Sequence, residues 1–224
     1  MIGLIFFVSN VVIDKKVPSL TGRQSLLDLS PGLTFLPVVD VKGTLAPFPV
    51  YDVDNKAKYD ELMRKHLAGY GERTKNCDFT TGTRLLGNLY DACKFPLRLL
   101  GPCGGNPNFG QGLCIYLKMN KIFGYLPDVT ENKIYVSCQA TDEERSRELG
   151  SASFYPNTRY EKQTVGYFST VAFPYLNQAD YQSPLLAVTF PNMEKNVSIT
   201  VSCKYLNINI DEEYKFEVVS RGIP

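Results

Sequence analysis

Six cysteines, at positions 77, 93, 103, 114, 138 and 203, restrict what this chain can fold into more than any other feature. They form an even set with no Cys-x-x-Cys pair and no histidine close by, which removes zinc and iron–sulfur sites and leaves disulfides as the reading. A disulfide framework places the chain in an oxidising compartment. The spacing alone leaves the pairing open. The stretch Cys93-Lys-Phe-Pro-Leu-Arg-Leu-Leu-Gly-Pro-Cys103-Gly-Gly and the segment 103–114, with its Gly, Pro and Asn, read as scaffold and loop rather than chemistry. The glycines there do not lead from a strand into a helix, so a phosphate cradle is not expected.

With 224 residues and 44% hydrophobic content the chain can bury a sizeable core, read here as that of one ectodomain. The formal net charge is +1 and the basic residues are scattered among acids, so the electrostatic footprint of a nucleic-acid binder is missing. Residues 1–13 are almost wholly apolar and end at Asp14-Lys15-Lys16. That run is too short to cross a bilayer core, which takes about 20 helical residues at ~1.5 Å each. It also lacks the basic start and small-residue cleavage pattern of a signal peptide. A buried strand is the plain alternative. The expectation is the outer part of a single transmembrane helix, with the rest of the chain outside the cell.

Residues 14–53 carry Pro18, Pro31, Pro37, Pro47 and Pro49 and are expected as an extended extracellular stalk. Residues 54–224 are expected as the disulfide-linked ectodomain. Asp54 is placed as the N-cap of one short helix whose apolar face is Tyr59, Leu62, Met63, His66, Leu67 and Tyr70. Beyond Leu113 the pattern turns to β, with strands expected over 115–119, 133–138, 166–171, 185–190, 196–203 and 213–219. The fold class is therefore mainly β, and six such strands suggest a sandwich. Alternation places Val197, Ile199, Val201, Cys203 and Tyr205 on one face, and Ile134, Val136 and Cys138 on another. Cys138 and Cys203 both point inward and could bridge facing sheets, an immunoglobulin-like arrangement without the usual tryptophan.

No catalytic constellation can be assembled. His66 is the only histidine and is expected to pack against the core, no nucleophile elbow is present, and oxidised cysteines offer no thiolate. The acidic run 142–148 is interleaved with arginines and reads as a solvated loop. Catalytic residues, metal ligands and cofactors are expected to be absent. Asn196-Val197-Ser198 is the one N-glycosylation sequon.

Residues 93–105 resemble the signature of the β subunits of the Na,K-ATPase and H,K-ATPase family, in which a cysteine and a basic residue precede, at fixed spacing, a leucine and a Cys-Ser/Ala-Gly. Cys93, Lys94, Leu100, Cys103 and Gly105 match. Gly104 stands where Ser or Ala is usual, and Tyr90 where a basic residue usually lies. The similarity extends to Ser30-Pro-Gly-Leu-Thr34, to residues 114–124, to Phe173-Pro-Tyr175, to residues 183–190 and to Cys203. The resemblance implies a type II, single-pass plasma-membrane glycoprotein with an immunoglobulin-like ectodomain and no catalytic activity. Such a subunit escorts and stabilises the catalytic α subunit of a P-type ATPase, with lipid around its N-terminal helix and a small single-span regulatory subunit as a further partner. It also implies pairing in sequence order, Cys77–Cys93, Cys103–Cys114 and Cys138–Cys203. The wording of residues 18–37 leans to an invertebrate-like sodium pump rather than a proton pump. Phe173, Pro174, Tyr175, Tyr181 and Pro184, an irregular aromatic stretch, are the expected partner-binding residues. The competing readings are an adhesion ectodomain acting without the pump and, further off, a secreted enzyme.

Overall fold

The computed structural model of the chain describes residues 17–21, 31–38, 47–70, 77–85, 87–105 and 112–221, together with Gly3, Ile5 and Gln24. The apolar run 1–13, apart from Gly3 and Ile5, lies outside the described residues, as do residues 106–111 of the glycine loop. Among the described residues no helix is long and apolar enough to cross a membrane.

The strands, in chain order, are β1 (Leu33–Leu36), β2 (Val50–Asp52), β3 (Cys77–Asp78), β4 (Thr83–Arg84), β5 (Ile115–Met119), β6 (Lys133–Ala140), β7 (Ser153–Tyr155), β8 (Asn157–Tyr160), β9 (Gln163–Ser169), β10 (Leu185–Thr189), β11 (Val197–Tyr205) and β12 (Tyr214–Ser220). Among the described residues the helices between these strands are α1 (Lys56–Leu67) and the single turn α2 (Ser146–Leu149), with short 3-10 turns besides. Four strands form one sheet in the order β1-β5-β10-β7, and six form another in the order β2-β12-β11-β6-β9-β8. Strands β3 and β4 pair separately. Every pairing between these strands is antiparallel except β2 with β12.

The two sheets face each other across one core. Alternation along β11 buries Ile199, Val201, Cys203 and Tyr205, and the same face continues through Ile134 and Val136 of β6, Phe168 of β9 and Phe216 of β12. From the other layer, Phe35 meets Phe216 edge-on with ring centroids 4.9 Å apart, a favoured aromatic geometry. A Cβ on Gly166 of β9 would lie 2.6 Å from the Leu186 side chain and 2.9 Å from that of Phe154, so the layers touch there over a bare backbone.

Several expectations need correction. Cys138 and Cys203 do point inward, but they are register partners on neighbouring strands of the six-stranded sheet, with Cα atoms 4.1 Å apart. The bridge therefore lies within one sheet, because residues directly opposite on adjacent strands bring their Cβ atoms together on one face. Residues 33–36 and 50–52, inside the stretch read as a stalk, are strands of the two sheets. The prolines that obscured them flank the strands and still accept hydrogen bonds, Pro31 from the Tyr205 hydroxyl at 2.8 Å and Pro37 from that of Tyr51 at 3.0 Å. The helix starts later than expected. The Asp52 carboxylate accepts the Asp54 N–H at 3.0 Å and opens a 3-10 turn over Val53–Asn55, so α1 begins at Lys56. Its buried face is Tyr59, Met63 and Leu67 with half-buried Tyr70, whereas Leu62 and His66 lie on the exposed side.

Candidate partner interface

The segment between β9 and β10 leaves the sheet through a 3-10 turn over Thr170–Ala172 and runs without regular structure to Leu185. Its two ends pack inward. Phe173, Pro174 and Pro184 are buried, and the Phe173 ring meets Tyr125 at 6.0 Å. The backbone of this loop has no ladder, so side chains satisfy it. The Gln178 carboxamide accepts the Leu176 N–H at 2.8 Å and donates to the carbonyls of Pro174 at 2.8 Å and Leu89 at 3.0 Å. From the end of α1, the Tyr70 hydroxyl donates to the Ser183 carbonyl at 3.1 Å. In return, Gln182 donates to the Gly69 carbonyl at 2.6 Å. Gly124 donates its N–H to the Tyr175 carbonyl at 2.8 Å.

What this loop presents outward is narrower than the five residues named from sequence. Tyr175 and Tyr181 are half-buried and stand with ring centroids 4.8 Å apart. The exposed Lys121 places its ammonium 5.2 Å from each centroid, an arrangement the ring quadrupoles favour. Partial burial and the neighbouring Lys118 hold the Lys121 ammonium below the ordinary lysine range. Burial, then Tyr70 and Tyr175, push the Tyr181 hydroxyl well above the usual phenol range. Among the described residues no carboxylate forms an ion pair with Lys121. Lys121 was missed in the sequence because it lies more than 50 residues from Tyr175, and no periodicity links the two.

The disulfides are Cys77–Cys93, Cys103–Cys114 and Cys138–Cys203, the sequential pairing. Asn196 is exposed, with φ +61°, and immediately precedes β11. In the run 142–148, Asp142, Glu143 and Glu144 are exposed, and Arg145 donates to the Ser198 carbonyl at 2.6 Å. These carboxylates form a surface turn, with the Asp142 side chain accepting the Glu144 N–H at 2.9 Å.

A family model described as the sodium/potassium ATPase beta chain matches residues 1–221. The chain belongs to this family. It is 26% identical to the sodium/potassium-transporting ATPase subunit beta-2 of Drosophila melanogaster, over 93% of this chain and 74% of that protein. It is 31% identical to protein ATP1B4 of Xenopus laevis, over 78% of this chain and 57% of that one. The potassium-transporting ATPase subunit beta of Mus musculus is 28% identical over 79% of this chain and 65% of its own length.

Proposed function

We propose that this protein is a non-catalytic accessory β subunit that assembles with the catalytic α subunit of a sodium/potassium-transporting P-type ATPase, stabilises it and helps bring it to the plasma membrane. The observation that carries the reading is the family match across residues 1–221. In this proposal residues 1–13 are the outer part of a type II membrane helix surrounded by lipid. Residues 14–53 lead from it as a stalk whose later part joins the sheets, and 54–224 form the rest of an immunoglobulin-like ectodomain. A small single-span regulatory subunit is a further proposed partner. Asn196 is the proposed glycan site, supported by its exposure at a turn-to-strand junction. Peptide mapping before and after glycosidase treatment of protein from its native membrane should show a modified Asn196, and an unmodified asparagine would refute that assignment.

Docking is proposed through the residues 173–186 loop, with Tyr175 and Tyr181 as the contact pair and Phe173, Pro174 and Pro184 as the buried supports that hold them. Rigid aromatic side chains contribute large contact area at little entropic cost. Replacing Tyr175 and Tyr181 together by serine should reduce recovery of co-expressed α subunit at least fivefold while the ectodomain stays folded with its disulfides formed. Recovery at the wild-type yield would move the docking role away from this loop.

A further inference from the structure

The ladder between β6 and β9 stops before either strand does. Pairing covers Lys133–Val136 against Gly166–Ser169, yet β6 continues to Ala140 and β9 begins at Gln163. Antiparallel continuation would set Ser137 opposite Val165, Cys138 opposite Thr164, and Gln139 opposite Gln163. Instead the first residues of β9 pair only with β8, and the two strands part. A cleft of about 610 Å³ occupies the gap, walled by Ser137, Cys138 and Gln139 on one side and by Gln163 and Thr164 on the other, with Ser153–Tyr155 of β7 also lining it.

The chemistry of this seam restricts what can fill it. None of its lining residues is charged, and hydroxyl and carboxamide side chains predominate. Both walls are strand edges, which present a backbone donor and acceptor every second residue, and such groups strongly favour pairing. A ligand that serves both walls must carry donors and acceptors along both of its own edges with the same repeat, and an extended peptide does so. Spacings of about 4.8 Å between strands, ~3.3 Å along a strand and ~10 Å between sheets assign roughly 160 Å³ to each strand residue, so the cleft takes about four residues. That length matches the three missing rungs and their flank. The Cys138–Cys203 bridge ties one wall to β11, while the other wall belongs to a β8–β9 hairpin at the outer edge of the sheet.

We propose that this seam is a strand-addition site, which takes an extended, uncharged peptide segment of a partner protein between β6 and β9, antiparallel to one wall and parallel to the other. Main-chain pairing gives such a site its affinity and tolerance of sequence. The site is separate from the loop of Tyr175 and Tyr181 and does not depend on the pump partner.

The test uses the ¹⁵N-labelled chain in detergent micelles and an acetylated, amidated hexapeptide of alternating threonine and valine. The expected result is chemical-shift change across Ser137–Gln139 and Gln163–Val165, with at least tenfold slower hydrogen exchange at Cys138 and Thr164, whose N–H groups face the seam while their neighbours' face β11 and β8. The same peptide N-methylated at every second residue should leave them unmoved. The double variant Gln139→Glu/Gln163→Glu, with its fold checked by the remaining amide spectrum, should weaken peptide binding at least tenfold. No shift at these amides at millimolar peptide, or equal shifts with the N-methylated form, overturns the proposal. Shifts produced by chitotriose but not by the peptide would also overturn it and make the seam a glycan site.

Discussion

Gly104 closes the 3-10 turn over Leu97–Cys103, donating its N–H to the Gly101 carbonyl at 3.0 Å, and a Cβ added to it would lie 2.6 Å from the Leu97 carbonyl oxygen. The family pattern carries Ser or Ala at this position, so resemblance alone rates Gly104→Ser as neutral. The local geometry says otherwise. The new side chain meets backbone, which cannot rotate away, so the substitution should destabilise the fold by about 1–3 kcal/mol, read as a lower midpoint in equilibrium urea unfolding with an unchanged slope. An unchanged midpoint would mean that the turn relaxes around a side chain at no cost. Period-two alternation correctly turned Cys138 and Cys203 inward, but alternation reports the face of a strand and not its neighbour, so the expected bridge between sheets became a rung within one. Lys121 was invisible for a related reason, since its place over Tyr175 and Tyr181 comes from two loops brought together by the tertiary fold.

At the scale of elements, strands with long apolar runs were legible. The expected 115–119 is β5, and the other five expected runs fall on β6, β9, β10, β11 and β12 with shifts at their ends. Short strands beside proline were not, because Pro31 and Pro37 bracket β1 and Pro156 separates β7 from β8. The hairpin joining β8 to β9 turns through Glu161 and Lys162, both at positive φ, where the sequence has none of the usual Gly or Asn signal. Helix α1 serves the candidate interface through Tyr70, whose hydroxyl reaches the Ser183 carbonyl. Burial pushes the Tyr70 pKa up to about 12 from 10.0. The folded state therefore holds this proton more tightly than the unfolded chain, and its contribution to stability is complete below pH 10 and lost as pH rises through about 12. Stability measured against pH should fall above pH 10, and the Tyr70→Phe variant should fall less steeply. If both curves keep the same slope, Tyr70 is not held protonated by its surroundings.

For the whole molecule, the two sheets share aromatic packing at Phe35 and Phe216 and close backbone approach at Gly166, so loops on the rim are carried by a single core. The mainly β class was legible because alternation and disulfide-compatible cysteines recur over most of the chain. The extent of the body was not, since strands β1 and β2 lie in proline-rich sequence that reads as a connecting arm. The proposed function, resting on membership of the family matched over residues 1–221, is binding to a pump's catalytic subunit. The most direct measurement is the ratio of the two chains when the full-length protein is purified in mild detergent from cells co-expressing a sodium-pump α subunit. Equal amounts of the two are expected, stable through size-exclusion chromatography. Recovery of the folded, disulfide-bonded chain without the α subunit, alone or joined only to its own copies, would contradict it.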